Sequence, residues 1–355
     1  MTTGIDAAFT DRLVATRRDL HRHPELSWQE RRTSEQIHQA LERVGIRTRR
    51  VAAGTGVIAD IPGGDGPFVA LRADMDALPI TEETGLPFTS IHDGVMHACG
   101  HDAHTSMLLG AAELLSGDGN LPAPVRLIFQ PAEEQGAGAK AMIEEGALDG
   151  VGMIFGGHVD RHFPTGNVVV TEGVVNASTD AFRIEIAGRG GHAARPHESV
   201  DAVVVASLLV MSLQTVVSRE VDPVHPSVVT IGRFVAGSAP NVIAGHALLE
   251  GTIRAQEREV RQHLVDAVHR IANSVGQLHG ADVQVTLTEG TPPLVNPPHM
   301  VTLARQAAHA VVGPGHVPSL HIANMGGEDF SYYLDQVPGC YVRFGAQVPG
   351  REGYP

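Results

Sequence analysis

The sequence predicts an α/β protein in which a second, α+β domain is inserted into the first. In the first half of the chain, strands alternate with helices, which is typical of a mainly parallel sheet with helices on both faces. The pattern changes near Ser178, and prolines at 292–298 mark a second boundary. We therefore expect a discontinuous first domain over 1–178 and 292–355, and an inserted domain over 179–291.

The first domain is predicted to start with a helix and then to build the sheet. Residues 27–30 (Ser-Trp-Gln-Glu) have the pattern of a capping box, and apolar residues at helical spacing continue to Gly45. The run 68–74 is mostly apolar, as a strand buried on both faces should be. The other predicted strands lie at 56–61, 125–130, 153–159 and 340–344, and the predicted helices at 104–115, 138–146 and 301–312.

The inserted domain has its elements in the order β-α-β-β-α-β, which is typical of a ferredoxin-like sandwich. Its predicted strands lie at 182–186, 227–235, 247–254 and 283–288, and its predicted helices at 200–217 and 257–279. The helix at 200–217 carries more apolar surface than one face of a four-stranded sheet needs. Two interpretations are open: this surface contacts a second copy of the chain, or the helix is simply buried against its own sheet.

The composition indicates a folded protein and excludes a disordered or fibrous one. Of the 355 residues, 43% are hydrophobic and 19% are charged. The 26 Lys and Arg against 40 Asp and Glu give a formal charge of −14, and no run rich in Lys or Arg is present. Nucleic acids and anionic membranes are therefore not expected as partners.

The apolar and cysteine patterns favour a cytoplasmic protein. The longest apolar stretch, 202–213, is interrupted by serines and is too short to span a bilayer. Residues 1–19 lack the apolar core of a signal peptide, and Cys99 and Cys340 form no disulfide framework. The 20 histidines are an unusually high number, so the chemistry is expected where histidines cluster.

Potential metal ligands lie near the ends of predicted strands, where α/β sheets place their sites. Asp74 and Asp76 come at the end of the strand at 68–74. Two carboxylates directly after a buried strand are costly unless they have a function. A surface turn with helix caps explains this segment equally well when it is taken alone.

The segment 96–104 has the highest density of potential ligands. It contains three histidines, Cys99 and Asp102 within nine residues. Cys99 and His101 form a Cys-x-His pair whose thiolate and imidazole suit zinc. The alternative is a buried free cysteine beside a helix-capping aspartate, and the ligand density favours the metal site over it.

Two further segments add carboxylates and another imidazole. Glu133 and Glu134 follow the strand at 125–130, and His158 lies at the end of the strand at 153–159. Adjacent glutamates can divide metal binding and general-base catalysis between them, although an acidic turn at a helix start also explains them. A lone histidine at a strand end is more often structural. A metal-dependent hydrolase site, however, explains all of these segments at once.

Longer motifs resemble a known family. The motifs are RADMDALPI at 72–80, MHACGHDAHTSMLLGAA at 96–112, FQPAEE at 129–134, GRGGHAARPH at 188–197, NVIAG at 241–245, LEGTIR at 249–254 and MGGEDFS at 325–331. In this order they resemble the metal-dependent N-acyl-amino-acid amidohydrolases. That family includes hippurate hydrolase, indole-acetyl-amino-acid hydrolase and related aminoacylases and carboxypeptidases. The likeness extends from residue 18 to residue 345.

The resemblance implies a catalytic domain with a metal pair, and an inserted lid domain through which two copies form a homodimer. It implies two divalent ions per chain, with zinc as the first choice and manganese, cobalt or nickel as alternatives. Cys99 would bridge the two ions, and His101 and Glu134 would bind one or the other. His158 would be a further ligand.

The resemblance also implies roles in catalysis. Glu133 would be the general base, and Asp76 would orient a metal ligand. His192 would stabilise the oxyanion of the tetrahedral intermediate, often from the partner subunit. Asn241 and Arg254 would lie near the carboxylate of the substrate.

The implied reaction is hydrolysis of an N-acyl amino acid to a carboxylic acid and a free amino acid. A carboxypeptidase or dipeptidase with the same site is the alternative within this class. In the family, a further histidine ligand follows in a His-Ser-Pro-type segment that this sequence does not reach. If the protein itself lacks this segment, the second metal site would be incomplete, and a catalytically impaired binding homologue is the third interpretation.

Overall fold

The chain folds into two compact units in the computed structural model, which describes residues 5–321, 323–348 and 350. The second unit comprises Asn176–Leu294 and Ala323–Glu328, and the first unit contains the other described residues. The chain therefore leaves the first unit, builds the second, and returns.

Hydrogen bonds that the sequence does not reveal attach 323–328 to the second unit. Asn176 forms a β-bridge with Asn324, and its side-chain Nδ2 donates to the carbonyl oxygen of Gly326 at 3.2 Å. The predicted boundaries assign this short segment to the first domain, because nothing in its composition differs from the residues that follow.

The regular elements have the following bounds. The helices are α1 (Ala7–Arg22), α2 (Arg31–Arg43), α3 (His101–Asp118), α4 (Gly138–Glu144), α5 (Ala202–Thr215), α6 (Arg258–His279), α7 (Pro298–Val312) and α8 (Ser331–Leu334). The strands are β1 (Thr48–Val51), β2 (Gly56–Ile61), β3 (Phe68–Asp74), β4 (Val125–Gln130), β5 (Val151–Pro164), β6 (Val168–Val169), β7 (Gly173–Asn176), β8 (Ser178–Ala187), β9 (Gly191–His192), β10 (Ser227–Ala236), β11 (Val242–Ile243), β12 (His246–Ala255), β13 (Asp282–Glu289), β14 (Leu294–Asn296) and β15 (Gly339–Gln347).

A seven-stranded sheet of the first unit has the order β1-β2-β4-β3-β5-β15-β6. Its four central strands pair in parallel, which confirms the predicted parallel sheet at the centre. At the edges of the sheet, β1, β2 and β6 pair antiparallel with their neighbours. β1 and β2 are joined by a turn of only a few residues, and such a short connection can join only antiparallel strands.

The capping box predicted at 27–30 is wrong. The helix α2 begins at Arg31, and Glu25 caps it instead. The two carboxylate oxygens of Glu25 accept the backbone N–H groups of Arg32 at 3.0 Å and Thr33 at 2.7 Å. The side chains of 27–30 are thereby available for contacts with other parts of the first unit. The sequence patterns also did not predict the helix α1 or the strand β1.

The second unit is a four-stranded antiparallel sheet with the order β10-β12-β8-β13. The helices α5 and α6 pack on its two central strands, so the predicted ferredoxin-like arrangement is confirmed. Ile184 and Leu249 of the sheet, together with Leu209 and Leu264 of the helices, are fully buried in this core.

The helix α5 has apolar residues on more than one face. Leu209 and Leu213 are buried against the sheet, whereas Leu208 and Met211 are exposed. Together with the π-helical turn Val216–Glu220 that continues it, α5 is the one helix among the described residues that is long and apolar enough to cross a membrane by length and composition. This is weak evidence of a membrane span, because the core helix of a soluble protein passes the same test.

Replacing Leu209 by alanine should destabilise the second unit. Leu209 is 0% exposed, and a cavity of this kind costs about 2–5 kcal/mol. Leu278→Ala in α6 is the matched control, since Leu278 is 77% exposed and its change should cost about 0.5 kcal/mol or less. Urea unfolding at one protein concentration measures both variants. Equal losses of stability would contradict the packing described above.

Candidate metal centre

The strand ends of the first unit bring the predicted ligands together. The strands β4, β3 and β5 are parallel neighbours, and Asp74 at the end of β3 lies opposite Gln130 at the end of β4. The carboxyl ends of parallel strands meet at one edge of the sheet, so the segments that follow them are adjacent. The helix α3 starts at this edge, where Gly100 has a left-handed φ of 91° and turns the chain from Cys99 into the helix.

Five of the predicted residues contribute to a compact cluster of ligand atoms. The ligand atoms of Cys99, His101 and His158 lie within 4.8 Å of one another. The ligand atoms of His101, Glu133 and Glu134 form a second group of the same size. Cys99 Sγ is 3.2 Å from His158 Nε2. His101 Nε2 is 3.8 Å from Glu134 Oε1 and 4.0 Å from Glu133 Oε2. We call these five residues the His101 cluster.

The donor atoms of the His101 cluster fit a metal ion. His101 Nε2 and Glu134 Oε1 are buried and have no hydrogen-bond partner among the described residues. An unsatisfied buried polar atom costs about 1–3 kcal/mol, so both atoms need a partner that the protein itself does not provide. Thiolate, imidazole and carboxylate are the ligands of zinc and of similar divalent metals.

Asp76 lies directly behind the cluster. Its Oδ1 is 3.1 Å from His101 Nδ1, which leaves the other ring nitrogen of His101 facing the cluster. Its Oδ2 accepts hydrogen bonds from Ser27 Oγ at 2.7 Å and from the backbone N–H of Glu134 at 3.0 Å. A single carboxylate thus holds two members of the cluster in place.

Two further residues at this site, Asp74 and His104, lie in segments that the sequence singled out, but no role was predicted for them. Their side chains join His101 in a third group of potential ligands. His104 Nε2 accepts the backbone N–H of Val159 at 2.9 Å, so its Nδ1 carries the proton and donates to Asp74 Oδ1 at 2.6 Å. His104 therefore supports the backbone next to His158. Its spacing of three residues from His101 on one helix was the available signal.

Buried charges shift the ionisation of the cluster. Burial disfavours the imidazolium of His101, but the negative charges of Asp74 and Asp76 outweigh this effect and raise its pKa well above the ordinary value. Burial raises the pKa of the Cys99 thiol and of the Glu134 carboxyl. The carboxylates that attract a proton to His101 would equally attract a divalent cation.

The remaining predicted site residues lie in the second unit. His192 is on β9, which pairs with β11, and it lines a groove of this unit together with Asn241. Arg254 Nη1 donates to the carbonyl oxygen of Met325 at 2.8 Å. The predicted roles of these residues toward a substrate stay predictions.

The fold and the His101 cluster define a metal-dependent hydrolase of amide bonds. The chain belongs to peptidase family M20/M25/M40, whose sequence model matches residues 70–353. This confirms the family that the motifs indicated.

Several named proteins are similar to this chain in sequence or in structure. The chain is 44% identical over 339 residues to N-acetyl-L-cysteine deacetylase of Bacillus subtilis. This alignment covers 94% of this chain and 80% of the relative. It is 38% identical to thermostable carboxypeptidase 1 of Saccharolobus solfataricus, covering 95% of this chain and 86% of the relative. The crystal structure of the YXEP protein of Bacillus subtilis, described as a dinuclear metal-binding peptidase of the M20 family, matches with a TM-score of 0.85. That match has 40% identity and covers 99% of this chain and 92% of the other.

Removing the metal should expose Cys99 to alkylation. If Cys99 binds the metal, its thiolate is shielded, and a chelator should release it for reaction with iodoacetamide. Cys340 is the internal control, because it is 0% exposed and burial raises its pKa to about 12. Mass spectrometry of the labelled peptides measures both sites. Equal labelling of Cys99 with and without chelator would remove it from the metal site.

Proposed function

We propose that this hydrolase cleaves the amide bond of an N-acyl amino acid, releasing a carboxylic acid and a free amino acid. The observation that carries the proposal is the His101 cluster, with the Glu133 carboxylate 4.0 Å from His101 Nε2. The likeness to N-acetyl-L-cysteine deacetylase supports this class of substrate. The proposal also includes a cytoplasmic location, since the sequence has only two cysteines and no disulfide framework.

The proposed cofactor is a pair of divalent ions, zinc first, with manganese, cobalt or nickel as alternatives. Cys99 would be shared between the two ions, while His101 and Glu134 would bind one or the other and His158 would add a further ligand. When bound, such a pair polarises the amide carbonyl and lowers the pKa of coordinated water towards neutrality. Asp76 would keep His101 in the orientation that binding requires.

Glu133 is the proposed general base. Its Oε1 accepts the backbone N–H of Asp329 at 3.4 Å, which orients the carboxylate, and its Oε2 faces the cluster. From this position it would accept the proton of the attacking water and later deliver it to the leaving amine. Glu134 shares the turn, but its oxygen is the buried atom that lacks a hydrogen-bond partner among the described residues. This difference supports the division of roles between the two glutamates.

The second unit is proposed to complete the reaction. His192 would stabilise the oxyanion, and Asn241 and Arg254 would recognise the carboxylate of the substrate. We also propose a homodimer formed through this unit, because Leu208 and Met211 leave an apolar face of α5 exposed. Sedimentation that shows only monomer at micromolar concentration would exclude the dimer.

Replacing Glu133 by glutamine should retain the metal and remove most of the turnover. The ligands of the cluster are unchanged, and a missing general base costs about 10²–10⁴-fold in rate. Metal analysis measures the metal content, and assays with acetyl-, benzoyl- and indole-acetyl-amino acids measure the turnover. Glu134→Gln is the paired variant and should lose metal. An active Glu133→Gln with a metal-loaded but inactive Glu134→Gln would reverse the two assignments.

Replacing His192 by alanine should leave metal content and melting temperature unchanged and lower the rate about 10²–10³-fold, as the loss of one oxyanion donor does. His197→Ala in the same segment is the control, because that side chain is 76% exposed. If His192 acts across the dimer, mixing the inactive His192→Ala and Glu133→Gln subunits should restore activity. Verified subunit exchange without recovered activity would exclude action on the partner's site.

A carboxypeptidase or dipeptidase activity is the second candidate, favoured by the likeness to thermostable carboxypeptidase 1. It would use the same cluster and the same general base. A substrate panel separates the two: faster cleavage of dipeptides than of every N-acyl amino acid tested would favour the peptidase.

A further inference from the structure

The turn that carries Glu133 and Glu134 passes through an unusual backbone conformation. Ala132, the residue before them, has a φ of 52° and is 0% exposed. The left-handed region costs about 1–2 kcal/mol for a residue with a Cβ atom, so it persists only where the surroundings impose it. A side-chain contact with the backbone N–H of Ala132 would therefore help to hold the start of this turn.

Glu30 makes that contact. Its Oε1 accepts the backbone N–H of Ala132 at 2.9 Å, across a sequence separation of 102 residues. Its own carbonyl oxygen accepts the N–H of Ser34 at 3.0 Å, which ties it to the first turn of α2. The carboxylate is thus anchored on a helix and directed at the turn.

Burying the carboxyl group of Glu30 costs free energy. The residue is 0% exposed, and burial raises its pKa to about 7. Its Oε2 is buried and has no hydrogen-bond partner among the described residues. Burial of a carboxyl group whose Oε2 has no such partner lowers stability. Stability of the fold therefore does not account for a glutamate at this position.

Neighbours of Glu30 in the segment 27–30 contact the same site. Ser27 Oγ donates to Asp76 Oδ2 at 2.7 Å, and Trp28 Nε1 donates to Gln135 Oε1 at 3.1 Å. The segment thus reaches both the carboxylate that holds His101 and the far end of the glutamate turn. This placement is what a support for the metal centre requires.

We infer that Glu30 is a positioning residue, whose hydrogen bond to Ala132 holds the turn that presents Glu133 and Glu134 to the His101 cluster. The inference rests on the proposed function, in which Glu133 is the base and Glu134 a ligand. Among the described residues, no hydrogen bond joins the Glu30 side chain to a proposed metal ligand. It acts through the backbone of Ala132.

The test compares Glu30→Ala with Glu30→Gln, which keeps an oxygen that can accept the N–H of Ala132. Glu30→Ala should lower kcat about 10–100-fold at saturating metal with little change in KM, because displacement of reacting groups has that cost. It should also weaken Co²⁺ binding about 10–100-fold. Glu30→Gln should retain most of the wild-type kcat and most of the wild-type affinity for Co²⁺. Glu42→Gln on the exposed face of α2 is the control and should behave like the wild type.

A second pair of variants tests the role of the backbone. Glycine adopts left-handed φ values without strain. In the background of Ala132→Gly, the loss caused by Glu30→Ala should therefore be several-fold smaller than in the wild type. Glu30→Asp keeps the carboxyl group but shortens the side chain. Its kcat and its Co²⁺ affinity should therefore decrease towards those of Glu30→Ala. This variant also keeps the test valid if Glu30→Ala does not fold.

A merely structural role gives a different result. In that case Glu30→Ala would lower the melting temperature while kcat per metal-loaded site and Co²⁺ affinity stay at the wild-type values, which would overturn the inference. Equal losses from Glu30→Ala in the wild type and in the Ala132→Gly background would overturn it as well. If the wild type hydrolyses no N-acyl amino acid, the proposed function fails, and the Co²⁺ titrations still decide the role of Glu30.

Discussion

A buried guanidinium is the interaction on which the site depends. Arg72, in the middle strand of the parallel sheet, donates to Asp74 at 2.6 Å, to Asp329 at 2.8 Å and to Gln130 at 2.8 Å. Charges this deeply buried are tolerated only when they are paired, and removing one partner costs about 3–5 kcal/mol. These contacts therefore link the end of β3, the end of β4 and the loop before α8.

This network determines where the catalytic groups can lie. Asp329 accepts from Gln130 and from the backbone N–H of Ala139, while its own N–H donates to Glu133. Asp74 in turn accepts from His104, which holds the backbone beside His158. Asp74, Asp76 and His104 beside the His101 cluster thus already have partners, while His101 Nε2 and Glu134 Oε1 have none among the described residues. Supporting side chains with fixed partners, next to unsatisfied ligand atoms, are what a preorganised metal site requires.

The prediction from sequence succeeded where the signal was local. The runs at 56–61, 68–74 and 125–130 coincide with β2, β3 and β4, because buried strands have a continuous apolar pattern. It failed at 27–30, where the capping pattern was present but Glu25, two residues before the segment, caps α2. It also failed to assign His104, because a histidine that supports the backbone and one that binds metal look alike in a sequence.

The sequence by itself determined the family and the order of most elements, and it named candidate ligand side chains, since long motifs and apolar periodicity are properties of neighbouring residues. Only the tertiary structure decided which side chains face one another. Glu30 reaches Ala132, and Ser27 reaches Asp76 across 49 residues, because α2 packs beside the edge where the parallel strands end. Contacts over such separations depend on how the elements pack, and no local pattern in the chain encodes them.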